Sequence, residues 1–193
     1  MGTRKQTSLL NDEAQRAVNQ SQYQNLPGQI ALGRQELTAW KARVATFQTA
    51  VKTEPVMEQV SLFEATPEPA ETINPFTLPQ QNTEFWRWQF SDVGVAALYF
   101  VIDYQSELLL YVGETVKSNQ RWKGEHDCKR YLVNYRQAHY HHNLESQLGI
   151  AFWRHAPAER RPRQAIESAL IYKWRSPFNK ENWKFWGTPF VGE

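Results

Sequence analysis

Hydrophobic residues are spread unevenly along this chain, and their spacing predicts where its helices and strands lie. Between Arg34 and Val51, apolar residues recur three and four positions apart, which is the period of one helix face. Two apolar runs, AALYFVID at 96–103 and LLLYVGE at 108–114, flank a polar turn and therefore predict a β-hairpin. A third run, GIAFWRHA at 149–156, predicts another buried strand.

Further helices are predicted on either side of the third run. The mixed, basic stretch 121–140 is expected to be helical in part. The segment PRQAIESALIYKWR at 162–175 begins with proline, which suits a first helical turn, and carries an apolar face. Pro177 ends this helix, and the aromatic tail beyond it should pack back on the domain. The order of elements predicts an α+β fold, with a small central antiparallel sheet flanked by helices.

Composition divides the chain into four parts. Residues 1–33 are polar and rich in Gln and Asn, which predicts disorder. Residues 34–52 form the amphipathic helix, which either packs on the main domain or docks a partner. Residues 53–84 combine prolines with acidic residues and show no periodicity, so a flexible linker is expected. Residues 85–193 hold most of the aromatic residues and are predicted to form the main domain.

The charge balance differs between the two halves. Residues 85–193 contain 15 Lys and Arg against 11 Asp and Glu, whereas residues 1–84 contain 7 against 9. This difference fits either a chance distribution or a C-terminal domain that approaches an anion. The single cysteine, Cys128, excludes an internal disulfide, and no apolar run reaches membrane-spanning length. We therefore expect a soluble, cytoplasmic protein.

Five residues of the C-terminal half are candidates for chemistry. Tyr99 and Tyr111 lie on the two predicted hairpin strands, where their hydroxyls could share one pocket. A tyrosine in a strand is otherwise usually part of the core, with its hydroxyl at the rim. Arg121 follows the hairpin, Glu167 lies near the start of the last predicted helix, and Asn179 follows that helix.

In order and approximate spacing, these residues resemble the GIY-YIG nuclease superfamily. Ala97-Leu98-Tyr99 stands where the family has its first tripeptide, and Tyr111-Val112-Gly113 stands where it has its second. The resemblance covers about residues 95–182. The chain departs from the pattern at Ala97 and Leu98, where the family usually has Gly and Ile, and neither change removes a reacting group.

The resemblance implies a GIY-YIG-type sandwich fold and a role for each of the five residues. It implies that Glu167 holds a Mg²⁺ or Mn²⁺ ion, because a lone carboxylate suffices when water and the substrate phosphate supply the other ligands. It implies that Tyr99 deprotonates the attacking water and that Tyr111 orients the water or the phosphate. Arg121 would stabilise charge on the phosphate, and Asn179 would brace the site by hydrogen bonds.

Further candidates surround the motif. Lys117 lies in the loop after Tyr111, and His126 lies one position later than the place where the family often has a His, Lys or Tyr. The spacing of the histidines around Cys128 fits no closed zinc site. Basic residues could hold a duplex backbone without reading its sequence, and a solvated surface is the alternative for each of them. The DNA-binding candidates are Arg121, Lys123, Arg130, Arg136, Arg154, Arg160, Arg161 and Arg163.

The linker contains a short motif of its own. Gln59-Val60-Ser61-Leu62-Phe63 resembles the peptide with which bacterial replication and repair proteins bind the DNA polymerase sliding clamp. An apolar pair within an acidic, proline-rich segment has no evident folding role. Gln59, Leu62 and Phe63 are therefore predicted to bind a partner, and docking on the protein's own core is the alternative.

Together these features predict a metal-dependent DNA endonuclease of repair or replication. A restriction or homing endonuclease is one alternative, but it would need a larger base-reading element than residues 1–84 offer. A catalytically dead nucleic-acid-binding module is the non-enzymatic alternative. The retention of all five candidate residues argues against such a module, although fold resemblance alone would not decide it.

Overall fold

The computed structural model describes residues 32–53, 69–82, 95–116 and 127–190. These residues form an α+β fold in which a four-stranded antiparallel sheet is combined with several helices. The elements are α1 Arg34–Thr53, α2 Pro69–Thr72, β1 Gln80–Asn82, β2 Ala97–Asp103, β3 Leu108–Thr115, α3 Asp127–His141, β4 Leu148–Trp153, α4 Arg160–Trp174 and α5 Trp183–Trp186, with 3-10 turns at Pro75–Thr77 and Lys180–Asn182. Among these elements, no helix combines the length and the apolar character needed to cross a membrane.

The hairpin forms where the apolar runs predict it. Every residue of β2 is buried, and Glu107 closes the turn to β3 with a φ of 49°. Pairing is irregular at one point, because Val101 pairs with Tyr111 whereas Ile102 pairs with Leu109. Leu110 is thus an extra residue, and such a bulge locally re-aims the side chains of its strand. Both Leu110 and Tyr111 consequently contact the same core.

The strand order in the sheet is β1-β4-β2-β3, so β3 lies at one edge and β1 at the other. Successive side chains of a strand point to opposite faces. On one face, Tyr99 and Val101 pack with α1, α3 and the C-terminal aromatic tail. On the other face, Leu98 and Phe100 pack with α4 and with the segment that contains α2. The hairpin therefore reads as continuously apolar because both of its faces are covered.

Helix α1 belongs to this fold. Leu37, Trp40 and Val44 are buried in the same core as Tyr99, and this position confirms that the predicted helix packs on the domain. The predicted bounds of the last helix also agree with α4 to within two residues at its start. Phe190, in the predicted aromatic tail, is fully buried against this core.

The prediction of a flexible linker is wrong for residues 69–82. Ala70 and Ile73 are buried under the sheet, Asn74 caps a 3-10 turn, and Gln80–Asn82 pair with β4. A Gln-Gln-Asn segment shows no alternation of apolar residues, because its strand arises only from backbone pairing with a distant partner. The main domain therefore begins before the predicted boundary at residue 85. The rest of the predicted linker and residues 1–31 lie outside the described part of the chain.

A buried polar cluster joins α1, β2 and α3 at the hairpin end of the sheet. The fully buried Asp103 carboxylate accepts hydrogen bonds from Tyr135 Oη at 2.7 Å, from Gln147 N at 2.9 Å and from Lys41 Nζ at 3.4 Å. Burial alone would raise the pKa of Asp103, but these bonds and the charge of Lys41 hold it below its usual value. His139 Nδ1 lies 2.8 Å from the Tyr135 carbonyl and must donate to it, so Nε2 accepts from Lys41 Nζ at 2.8 Å.

Candidate functional site

The two candidate tyrosines form a stacked pair on neighbouring strands. Tyr99 lies directly opposite Gly113, and Tyr111 is the diagonal neighbour on the same face of the sheet. Their ring centroids are 5.9 Å apart with the planes inclined by 28°, and their hydroxyls are hydrogen-bonded. Tyr99 is fully buried, whereas Tyr111 is only partly buried. The pair thus combines a fully buried phenol, Tyr99, with a partly buried one, Tyr111.

Gly113 provides the space that the pair needs. A Cβ atom at this position would lie 2.8 Å from Cε1 of Tyr111, and closer still to Cζ and the hydroxyl of Tyr99. Contacts below 3.0 Å essentially do not occur for real Cβ atoms, so any side chain here would displace a ring. Glycine in the second tripeptide is therefore required by the close approach of two aromatic rings.

Glu167 lies within electrostatic range of the Tyr111 phenol. Its helix, α4, packs along β3, and the carboxylate is half-buried. Burial raises the pKa of Tyr111 well above its ordinary value, and the neighbouring Tyr99, Cys128 and Glu167 raise it further. The Tyr111 phenol is therefore neutral at physiological pH, and it requires nearby positive charge before it can give up its proton.

Arg163 fixes α4 against the strand that carries Tyr111. Its Nε donates to Glu114 Oε2 at 2.6 Å, and its Nη1 donates to the carbonyls of Pro157, Ala158 and Glu159. The side chain is only 1% exposed. The prediction that Arg163 contacts DNA is therefore wrong, because all these donors point inward and no guanidinium surface remains for a phosphate. Arg163 instead ties the first turn of α4, the helix that carries Glu167, to Glu114 near the end of β3.

Asn179 braces the same strand from its outer edge. Its Oδ1 accepts from Val112 N at 3.0 Å, and its Nδ2 donates to Val112 O at 2.9 Å, so the side-chain amide imitates a paired strand. Ser176 Oγ donates to the same Oδ1 at 2.6 Å and fixes the orientation of the amide. Because Val112 follows Tyr111 directly, Asn179 holds the backbone next to the Tyr111 phenol, which agrees with the bracing role that the resemblance implies.

A second amide completes this edge, and no pattern in the sequence indicates it. Gln48 of α1 is fully buried, accepts from Leu109 N at 2.8 Å and donates to Leu109 O at 2.9 Å. Its Nε2 also donates to Trp174 O at 3.1 Å, at the end of α4. Between the two amides, Phe178 N donates to Leu110 O at 2.9 Å. A glutamine within an amphipathic helix reads as a solvated residue, so only the position of the strand edge reveals its role.

The remaining predicted site residues are distributed as follows. Lys117, Arg121, Lys123 and His126 lie outside the described residues, as do Gln59, Leu62 and Phe63. The predicted DNA contacts with exposed side chains are Arg130, Arg136, Arg154, Arg160 and Arg161. Arg160 and Arg161 stand in the first turn of α4, on the helix that carries Glu167.

The donor set fits a metal ion that arrives with its substrate. Within the described ranges, no group of three or more His, Cys, Asp or Glu side chains converges. Glu167 is the carboxylate whose charge reaches Tyr111. Mg²⁺ keeps several waters and commonly binds through one or two carboxylates together with substrate phosphates. A single half-buried carboxylate beside a phenol therefore suits Mg²⁺ in the presence of a phosphodiester, and does not suit a preformed protein cage.

Zinc ligation is not favoured by the described members of the histidine and cysteine cluster. Cys128 is fully buried, and burial raises the pKa of its thiol well above the ordinary value. Both ring nitrogens of His139 are engaged by Lys41 and by the Tyr135 carbonyl.

Comparison of the chain with protein-family models, with curated proteins and with solved structures found no match.

Proposed function

We propose that this chain is a metal-dependent DNA endonuclease of the GIY-YIG type. The observation that carries the proposal is the stacked, hydrogen-bonded pair of Tyr99 and Tyr111 over Gly113, with the Glu167 carboxylate in electrostatic range. The two phenols lie beside a carboxylate, on the strand that Asn179 braces. Gly113 is needed there because it leaves room for both rings. Packing alone would be met by ordinary apolar side chains at these positions.

Proton removal from the attacking water falls to Tyr111 in this proposal. The resemblance implies Tyr99 for this step, but Tyr99 is fully buried and Tyr111 keeps exposed surface. In this proposal the attacking water reaches the less buried Tyr111, and Tyr99 orients the Tyr111 hydroxyl through their hydrogen bond. General-base catalysis requires the base within hydrogen-bond reach of the proton that it abstracts, which favours the accessible phenol.

Glu167 would hold the metal ion, with phosphate oxygens and water as the other ligands. A bound Mg²⁺ would supply positive charge that polarises the phosphate and favours ionisation of a nearby phenol. Arg163 and Glu114 keep the carboxylate in place, because their ion pair joins the first turn of α4 to the end of β3. Arg121, which the resemblance assigns to the phosphate, completes the set in this proposal.

DNA would approach the face that carries Arg160 and Arg161. Both are exposed and precede Glu167 on the same helix, so phosphates bound there lie along the approach to the carboxylate. Backbone contacts of this kind make binding dependent on salt and largely independent of sequence. Nicked, flapped, branched and plain duplex DNA all present such a backbone, so the preferred structure is decided by assay.

Recruitment through Gln59, Leu62 and Phe63 is part of the proposal and rests on the sequence motif alone. A tethered peptide that inserts an apolar pair into a sliding clamp would raise the local nuclease concentration on DNA. Leu62→Ala with Phe63→Ala should abolish clamp binding, measured by calorimetry, and leave cleavage of short naked DNA unchanged. Wild-type protein that shows no binding at clamp concentrations of about tens of micromolar would refute recruitment alone, since such peptides bind with modest affinity.

The decisive test of the nuclease is cleavage of labelled DNA structures in Mg²⁺ or Mn²⁺ by wild-type protein and by Glu167→Gln. The variant should lose cleavage and retain DNA binding, because arginines hold the backbone while the carboxylate holds the ion. Glu159→Gln is the matched control, since this exposed glutamate immediately precedes α4 and should be dispensable. Equal cleavage by Glu167→Gln would remove Glu167 from the site, and a wild-type protein without cleavage on any substrate would refute the proposal.

A further inference from the structure

An exposed aromatic patch lies at the C-terminal end of α4. Tyr172 is 69% exposed and Phe185, on α5, is 55% exposed. The guanidinium of Arg175 lies 4.2 Å from the centre of the Tyr172 ring and 5.3 Å from the centre of the Phe185 ring. Beneath them, Phe47 of α1 meets the Phe185 ring edge-on at 6.0 Å. We call this group the α4-end patch. Its two outer rings are exposed, and Phe47 packs against Phe185.

Arg175 reaches this position at a cost to its backbone. It adopts the left-handed conformation, with φ 47° and ψ 44°, where it ends α4 and donates its N–H to Ile171 O. Glycine is the residue that normally occupies this position, because a Cβ atom disfavours it. Trp186 Nε1 donates to the Arg175 carbonyl and holds the turn.

The charge around the patch is positive. Arg43 of α1 lies against α5, with its Nη2 3.5 Å from the Trp186 carbonyl, and the exposed Lys184 directly precedes Phe185. Arg175 contacts both exposed rings, Arg43 reaches the residue that follows Phe185, and Lys184 precedes Phe185 in the sequence. Aromatic rings and guanidinium planes are the groups on which unpaired bases stack, and cations beside them neutralise the connecting phosphates.

We propose that the α4-end patch binds single-stranded nucleic acid, with one or two unpaired bases stacked on Tyr172 and Phe185. The identification of the ligand rests on the proposed nuclease function. The patch and Glu167 share α4, and Tyr172 follows Glu167 by five residues, or about 7.5 Å along the helix axis. An unpaired strand that leaves the cleaved phosphate can therefore reach the patch around the end of the helix. The preferred substrate accordingly carries a single-stranded extension beside the scissile bond.

The test measures binding without cleavage. Fluorescence anisotropy of a labelled 12-nucleotide oligo-dT and of a blunt 12-base-pair duplex is followed in the absence of divalent metal, so that the readout does not depend on nuclease activity. Tyr172→Ala with Phe185→Ala should weaken oligo-dT binding at least tenfold and leave duplex binding within twofold. Tyr172→Phe with Phe185→Tyr is the matched control, because it keeps both rings, and its affinity should equal that of the wild type.

Arg175→Gly separates function from stability. Glycine relieves the left-handed backbone, so this variant should be at least as stable as the wild type in urea, yet bind oligo-dT several-fold more weakly. If the double alanine variant is unstable, Tyr172→Ala alone decides, because this ring is the most exposed. Unchanged oligo-dT affinity in these variants, or a wild type that binds no oligo-dT, would overturn the proposal. Loss of oligo-dT binding in variants of a protein that cleaves nothing would uphold the patch and refute only the nuclease.

Discussion

At the scale of single residues, the structure distinguishes Tyr99 from Tyr111, which the sequence does not. Both tyrosines lie in apolar strands and look equivalent in the sequence, and only their burial distinguishes them. Tyr99 is fully buried, whereas Tyr111, which follows the bulge at Leu110, is only partly buried. The bulge is a property of strand pairing, so no local pattern of residues predicts it.

The two phenols should therefore differ when their hydroxyls are removed. We expect Tyr111→Phe to lower the cleavage rate by about 10²–10⁴, the usual loss of a general base. Tyr99→Phe should cost less, because it removes only the hydrogen bond that orients Tyr111. Single-turnover cleavage rates, measured with thermal melting as a check on folding, compare the two variants. A larger loss for Tyr99→Phe would show that Tyr99, and not Tyr111, is the general base.

Arg163 shows why charge in a sequence is a poor guide to a binding surface. It stands in a run of arginines, and its buried position comes from an ion pair with Glu114, on a distant strand, and from hydrogen bonds to three backbone carbonyls. Arg161, two positions earlier, is exposed, which provides a matched pair for measurement.

Arg163→Ala should destabilise the protein strongly, whereas Arg161→Ala should leave stability unchanged and weaken DNA binding. Removal of one partner of a buried ion pair typically costs about 3–5 kcal/mol, because the other charge stays behind without compensation. Urea unfolding of both variants measures the difference in the free energy of unfolding. Equal stability of the two proteins would show that the Glu114 carboxylate finds another partner.

At the scale of elements, the sequence predicts the helices and strands whose pattern of apolar residues lies within the element itself. The hairpin, α1, β4 and α4 follow from apolar runs and periods, because each buries side chains that the pattern reveals. Strand β1 does not, because Gln80–Asn82 owe their extended form to pairing with β4. The order of strands in the sheet and the covering of β3 depend on contacts between distant segments, which one sequence does not show.

The contact between α1 and β3 can be tested through Gln48. Gln48→Ala should lower the free energy of unfolding by about 1–3 kcal/mol, because the N–H and C=O of Leu109 and the Trp174 carbonyl lose their buried partner. Gln35→Ala on the exposed part of the same helix is the control and should have little effect. If both variants unfold at the same urea concentration, α1 is held by its apolar residues alone.

At the scale of the whole molecule, the polar cluster around His139 makes stability depend on pH. The pKa of His139 is lowered from 6.5 to about 4, chiefly by burial and to a smaller extent by Lys41 and His142, against the opposing effects of the Tyr135 carbonyl and Asp103. Between these two pH values the unfolded chain binds more protons than the folded one. The stabilisation is thus complete above pH 6.5 and is lost as the pH falls towards about 4.

We expect the free energy of unfolding to fall by at most about 3 kcal/mol from this group between pH 7 and pH 4. His139→Gln should flatten that dependence, and His141→Gln, at an exposed position of the same helix, should leave it unchanged. Urea unfolding at intervals of half a pH unit provides the measurement. An equal pH dependence in wild type and His139→Gln would assign the acid sensitivity to other groups.

The way in which β3 is closed also has a consequence for synthesis on the ribosome. The edge of this strand is completed by Gln48 and by groups around Trp174 and Asn179, and the first two are 126 positions apart. Since a chain emerges from its N-terminus, β2 and β3 are made long before the segment that covers them. Until then an apolar strand edge is open to pairing with other chains. The site should therefore form only after the segment around residue 179 has left the ribosome.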